Sequence, residues 1–367
     1  MFPALEAQAL QNPLAPCFGV VVIGRNEGDR LVRCLESIIP QIPPLAPGFS
    51  DSQAQLQPPH VLDYPDSHLP IIYVDSGSQD DSIAQSQRRG VRVVALGSQP
   101  PFTAARARNA GWQELVSCWP RVEYVQFVDG DCELDPQWLQ RGLGWLTQDE
   151  TIAVVCGRRR ERFPEASPYN RLADLEWNTP VGEALACGGD ALIRVAALQA
   201  VGGYDARLIC GEEPEMCLRM RRLGWKIWRI DAEMTLHDAA MLYFGQWWRR
   251  SIRGGWFVAE GYHRYGKAPE RYMVREHLSG WLWGAIVPVG ILGLIITMGN
   301  WGLLGLLVYG LLGWRIYQFR RRQGDRPSHA RLYSFYCVIS KVAQAMGQGQ
   351  YWLTHWRGQQ GTLIEYK

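Results

Sequence analysis

Two acids, Asp129 and Asp131, flank Gly130 directly after the apolar run VEYVQFV. An acid pair at the tip of a strand can turn both carboxylates toward one point, which suits a hard divalent cation that also binds diphosphate oxygens. The same triplet reads equally as an ordinary Asp-Gly turn, and its neighbours tilt the balance. Asn26 and Glu27 follow VVVIGR, and Asp75 closes IIYV, so three apolar runs end in polar or acidic residues. Asp75 can accept from a base N–H or a ribose hydroxyl, or cap a helix. Arg106, Arg108 and Asn109 open the helical stretch TAARARNAG, where cations oppose the helix dipole and therefore imply a ligand or an acidic partner. Glu212 and Glu213, in GEEPE, precede the amphipathic stretch MCLRMRRLGW. An acid in a first helical turn interacts favourably with the dipole or serves as a base.

These side chains need a frame. From Phe18 to Ile230 short apolar runs (FGVVVI, IIYVD, VRVVAL, VEYVQFVD) alternate with amphipathic stretches. This predicts an α/β fold built from βαβ units, with a mostly parallel, mixed sheet covered by helices on both faces. Residues 40–70 carry eight prolines, too many for a helix or a central strand, and read as an insertion between the first helix and the second strand. The 38 basic and 36 acidic residues nearly cancel, to +2, so no nucleic acid partner is expected. Nine cysteines, an odd number without a C-x-x-C pair, fit a reduced compartment. The first 17 residues lack a basic region and a long apolar core, which predicts an N-terminal extension and no secretory signal.

Leu278 to Trp314 contains no Asp, Glu, Lys or Arg, a length beyond the roughly 20 residues of one bilayer crossing. Gly299-Asn300 near its middle predicts a transmembrane helical hairpin, 279–298 and 301–319, within a segment bounded by a juxtamembrane linker at 261–278 and a cytoplasmic or interfacial segment at 320–367. Arg264, Arg271 and Arg275 precede the run and Arg320, Arg321 and Arg322 follow it. The positive-inside rule then places both flanks in the cytoplasm, which two crossings satisfy. A buried helical pair or a re-entrant element is the alternative. In QWWRRSIRGGW, Arg249, Arg250 and Arg253 beside Trp247 either grip phosphates of a donor or lipid acceptor, or form an aromatic, cationic belt at a membrane surface. Arg158, Arg159, Arg160 and Arg162 either line an acceptor site or are solvated.

The ordered set N-E, V-D-S-G-S, A-R-N-A-G, D-G-D and G-E-E, followed by a C-L-R-x-R-R-x-G-W helix, resembles the family 2 glycosyltransferases of GT-A fold. The resemblance covers about residues 18–260. It implies a membrane-anchored bacterial type at the inner membrane, its catalytic domain facing the cytoplasm. It further implies inverting sugar transfer from a nucleoside diphosphate sugar to a lipid-linked or saccharide acceptor, dependent on Mg2+ or Mn2+. Asp75 then looks like the nucleotide-binding acid, Asp129 and Asp131 like the metal-binding motif, Arg108 like the donor-side arginine and Glu213 like the general base. Glu212 stays open as the base, because the usual aspartate of that motif is a glutamate here and reaches further. Asn26 and Glu27 fall on the donor side. His237, in MTLHDAAM, is a further candidate for the metal or diphosphate, since neutral imidazole binds manganese acceptably. A nucleotidyltransferase of similar fold and a non-catalytic membrane scaffold are the rival readings. IGRNEGDR is a poor match to the glycine-rich loop of the first, and the intact acids speak against the second.

Overall fold

The computed structural model describes residues 18–42, 69–97, 103–359 and 361. The N-terminal extension at 1–17, and 43–68 of the proline-rich insertion, lie outside the described residues. The chain runs β1 (Phe18–Gly24), α1 (Asp29–Ile38), β2 (Ile71–Asp75), α2 (Ser82–Arg88), β3 (Arg92–Ala95), α3 (Ala104–Cys118), β4 (Tyr124–Asp129), β5 (Cys132–Leu134), α4 (Trp138–Gln148), β6 (Ile152–Glu161) and α5 (Pro168–Glu176). It continues with β7 (Gly182–Ala184), β8 (Ala191–Arg194), α6 (Val195–Val201), α7 (Glu212–Arg222), β9 (Lys226–His237), α8 (Phe244–Tyr265), α9 (Val274–Trp281), α10 (Val287–Met298), α11 (Leu307–Arg322) and α12 (Pro327–Trp356). Two compact units result, the first holding residues up to 162 with 177–208 and 212–239, the second holding 163–176, 209–211 and 240–367.

The first unit is built on one sheet of order β3-β2-β1-β4-β8-β6-β9-β5, with β7 on β9. The near-continuous apolar runs of β1, β2 and β4 are buried along almost their whole length, as strands covered on both faces must be. The parallel reading holds for β3-β2-β1-β4. Beyond that block β8 enters antiparallel between β4 and β6 and the outer strands pair both ways. The sheet is mixed, as expected.

Register sets up the site. Gly24 pairs with Asp75 and Ile23 with Asp129, so the ends of β2, β1 and β4 lie side by side at the carboxyl edge, where sites form in open α/β sheets. After β4 the chain turns through Gly130 and Asp131 into β5, which pairs antiparallel with β9 and sets Cys132 opposite His237. This long-range pairing brings a histidine more than a hundred residues away next to the second acid of the triplet.

The second unit is helical. Ile209, Cys210, Trp256, Ala259 and Tyr351 form a buried cluster, with the Trp256 and Tyr351 rings edge-to-face at 5.3 Å. This packing of α8 on α12 explains why the boundary expected at 260 falls after Ala239, and why the linker expected at 261–278 is largely helical. The segment expected at 320–367 is dominated by the 30-residue α12.

The helical run Val274–Arg322 is long and apolar enough to cross a membrane by length and composition. It does not run straight. Gly299 takes φ 61°, a conformation that favours glycine, and Tyr309 Oη donates to the Trp283 carbonyl at 2.5 Å. Those residues are 26 apart and would be separated by roughly 39 Å along an unbroken helix, so the run doubles back on itself. The first arm carries a π-helical turn at Leu282–Ile286 just before Pro288, which lacks the N–H a regular helix requires there.

Candidate functional site

Asp129 ends β4 with both carboxylate oxygens engaged. Oδ1 accepts from Arg108 Nη2 at 2.8 Å, and Oδ2 accepts from Arg159 Nη2 at 3.2 Å. Its backbone N–H donates to Asp190 Oδ1 at 2.9 Å. The other amino group of Arg108 donates to Glu212 Oε1 at 2.6 Å. Arg108 is 3% exposed, so this single guanidinium ties α3, β4 and α7 together, as its position against the helix dipole foreshadowed. Burial alone would raise the Asp129 pKa, but Arg108 and Arg159 outweigh it and hold the carboxyl below its usual range. Gly189 lies close against the pair: a Cβ there would stand 2.6 Å from Arg108 Nη2 and 2.9 Å from Asp129 Oδ2, so a larger residue would have to displace one of them.

Asp131 is buried in the turn after β4. His237 Nε2 stands 3.3 Å from Asp131 Oδ2, and His237 Nδ1 stands 3.5 Å from Glu161 Oε2. An acid behind the second nitrogen orients an imidazole for metal binding. Trp177 packs edge-on against His237, ring centroids 4.8 Å apart, and carries the Arg159 guanidinium over its face at 5.0 Å. Asp131, Cys132 and His237 each offer a ligand atom within 4.8 Å of the others, a group that could hold a divalent cation.

Glu213, in the first turn of α7, is buried. Its Oε1 accepts from the Cys187 N–H at 2.6 Å, from the Cys187 thiol at 3.0 Å and from the Cys217 thiol at 3.1 Å. Burial pushes its pKa above the ordinary carboxylate value, and the hydrogen bonds only partly oppose that. Such a group is a stronger base than a solvated glutamate. Glu212, one residue earlier, is instead held by Arg108, so the two neighbouring acids have different partners.

The loops after β1 and β2 lock onto each other. Asn26, in a left-handed conformation, donates its N–H to Ser78 Oγ at 2.9 Å and accepts from the Gln79 N–H at 2.7 Å. Glu27 pairs with Arg30 at 2.8 Å. Asp75 is buried; it accepts from Tyr73 Oη at 3.0 Å and from the Gly77 and Ser78 N–H groups at 2.9 and 2.8 Å. Asp75 thus closes the turn after β2 and does not cap α2, whose N-cap position is Asp81.

Arg249, Arg250, Arg253 and Trp247 lie on α8 in the second unit. Trp247 is buried against the rings of Tyr336, at 4.9 Å, and Tyr169, at 6.1 Å, while Arg250 pairs with Glu176 at 2.7 Å. Sequence reasoning missed Asp190, Glu161, Trp177, Cys187 and Cys217, and left Arg159 undecided. The only local signal was the C-G-G-D run at 187–190, two glycines and an acid beside a short strand.

Comparisons with known proteins agree with this geometry. Residues 19–186 match the model of glycosyl transferase family 2. Cellulose synthase 1 of Komagataeibacter xylinus is 23% identical over 180 residues, covering 45% of this chain and 11% of that protein. The chain therefore spans about a tenth of that relative's length. Glycosyltransferase AglE of Haloferax volcanii is 21% identical over 248 residues, covering 65% of this chain and 72% of that one. Among solved structures, the mannosyltransferase PcManGT from Pyrobaculum calidifontis, in complex with GDP-Man and Mn2+, superposes with a TM-score of 0.54 at 16% identity, covering 93% of this chain and 91% of its own. Just under half of the chain thus matches the family 2 glycosyltransferases, and its sheet shares the fold of that mannosyltransferase.

Proposed function

We propose that the protein transfers a sugar from a nucleoside diphosphate sugar to a hydroxyl of a lipid-linked or saccharide acceptor, inverting the anomeric carbon, at the cytoplasmic face of the inner membrane. The observation that carries this reading is the pairing, in one unit, of the Asp131–His237 donor set with the Arg108 network on Asp129 and with a buried carboxylate of raised pKa, Glu213. That the PcManGT structure holds GDP-Man and Mn2+ supports a nucleotide sugar and a divalent cation here.

Asp131 and His237 would hold the Mg2+ or Mn2+. When bound, that cation neutralises the charge that grows on a departing diphosphate. Glu213 takes the proton of the acceptor hydroxyl as its oxygen attacks, with the raised pKa favouring the transfer. Cys187 and Cys217 keep the carboxylate in place by hydrogen bonds. Arg108 fixes Asp129 and Glu212 relative to each other, and Asp129, Asp75, Asn26 and Glu27 line the donor side. Arg249, Arg250 and Arg253, on the helix that Trp247 anchors, are offered for phosphate recognition or for a cationic belt at the membrane surface. The apolar run and its flanking arginines hold the enzyme at the membrane with both flanks in the cytoplasm.

The test is a screen of the purified protein against UDP-, GDP- and dTDP-sugars with Mg2+ and with Mn2+. Release of a nucleoside diphosphate is expected with one donor. Release of pyrophosphate would make the protein a nucleotidyltransferase, and no turnover with any donor would sink the reading.

A further inference from the structure

β6 carries three consecutive arginines in its pairing with β9, and of these only Arg159 joins the Asp129 cluster. Arg158 and Arg160 line a different feature, an open cavity of about 440 Å³ shared with Arg141, Arg229, Asp231 and Glu233. That volume suits a small molecule. Its lining is rich in cations, with four guanidiniums and two carboxylates. Arg160 and Glu233 are 3.9 Å apart, too far for a strong bond, and both are about half exposed.

Arg229 is the decisive residue. It is 5% exposed on β9, and its side chain has no hydrogen-bond or ion-pair partner among the described residues, with Nε fully enclosed. A guanidinium cannot shed its charge at physiological pH, and leaving one buried without a counter-charge is costly. A fold that places it in a cavity wall with three more arginines has a reason outside its own packing. Fork-shaped donors recognise planar or tetrahedral oxyanions through paired N–H···O bonds. A phosphate monoester, which carries about −1.5 to −2 near neutral pH, offers such oxygens together with the counter-charge that Arg229 lacks.

We infer that the cavity walled by Arg141, Arg158, Arg160 and Arg229 binds a phosphate-bearing ligand. Asn178 and Thr179 also line it and follow directly on Trp177, the ring that covers His237 and Arg159, so the cavity adjoins the Asp131–His237 cluster through one short segment. The claim concerns binding and does not depend on the transferase reading.

The test uses the full chain in detergent, with chelator present and no sugar donor, so that neither metal loading nor turnover enters the result. Thermal unfolding is followed against inorganic phosphate in one arm and against mixed micelles carrying phosphatidic acid in the other. A saturable rise in Tm is expected in at least one arm; the first identifies a soluble phosphate ligand, the second a lipid headgroup. Arg229→Met, which fills the same space without the charge, is expected to raise the Tm of the ligand-free protein and to abolish the response. Arg158→Gln is expected to weaken it at least tenfold. Absence of a saturable rise in both arms overturns the proposal. So does a rise that persists undiminished in Arg229→Met, since phosphate stabilises many proteins merely by being excluded from their surfaces.

Discussion

Arg108 donates to Asp129 through one amino group and to Glu212 through the other, at 2.8 and 2.6 Å, while almost completely withdrawn from solvent. Removing it leaves two acids facing each other without their shared cation. Arg108→Ala should therefore cost about 3–5 kcal/mol of stability, read from denaturant unfolding in detergent. The double variant Arg108→Ala/Asp129→Ala should cost clearly less than the sum of the two single changes. Simple additivity would show that the pair is not coupled.

Asp131→Asn keeps the shape of the turn and removes the charge that faces His237. Nucleoside diphosphate release should fall by about 10²-fold or more, with the unfolding midpoint little changed. Chelation of divalent metal should abolish turnover in the parent, and Mn2+ or Mg2+ should restore it. Unimpaired turnover in excess chelator would remove Asp131 and His237 from the reaction.

Glu213→Gln separates chemistry from folding. The amide can still accept from the Cys187 N–H, but it cannot take a proton, so the rate should drop by about 10²- to 10⁴-fold. Stability should move the other way. Because burial raises the folded pKa above the unfolded one, the stabilising contribution of the protonated acid is fully present at low pH and is lost as pH rises through the folded value. The neutral glutamine retains that contribution, so near pH 7 the variant should unfold at the same temperature as the parent or higher.

The same shift fixes the pH profile. A base must be ionised, so kcat/KM should fall as pH drops, and the fall should begin above the range of an ordinary glutamate. Glu213→Asp, with a shorter reach, should retain part of the rate and move the acidic limb. A limb unaffected by either change would assign the base elsewhere.

Trp301 sits just beyond the Gly299 reversal and is largely exposed. If the two arms cross the bilayer, Trp301→Cys in intact cells should react with a membrane-impermeant thiol reagent added outside, whereas Cys337 on α12 should not. Protection of position 301 until the membrane is opened would mean that the run lies within or along one leaflet.

Much of the frame was legible because burial on both faces writes itself as unbroken apolar runs. VVVI, IIYV and VQFV became β1, β2 and β4, and the acids at their ends had nowhere to go but the carboxyl edge. The apolar stretch and its central glycine were equally plain. Long-range partners were not legible. Asp190 holds the Asp129 N–H across 61 residues, and its loop gave no periodic signal. Arg159 and Arg158 are indistinguishable in the sequence, yet one joins the acid cluster and the other a cavity wall. Which way each points is set by irregular register between β6 and β9. The amphipathic stretch that became α8 reads the same whether it packs on a sheet or on another helix, which is why the unit boundary was placed too late.

The segment 187–190 has a consequence for how the enzyme can change. Cys187 holds the carboxylate assigned to deprotonation, Gly189 gives Arg108 and Asp129 room to meet, and Asp190 pins the strand tip that carries the acid triplet. Three residues of one four-residue segment thus bind the surroundings of Glu213 to those of Asp129. Under the proposed transfer, the base and the leaving-group side cannot be tuned separately from this loop, and substitutions in it should show strongly epistatic effects on saturation and turnover.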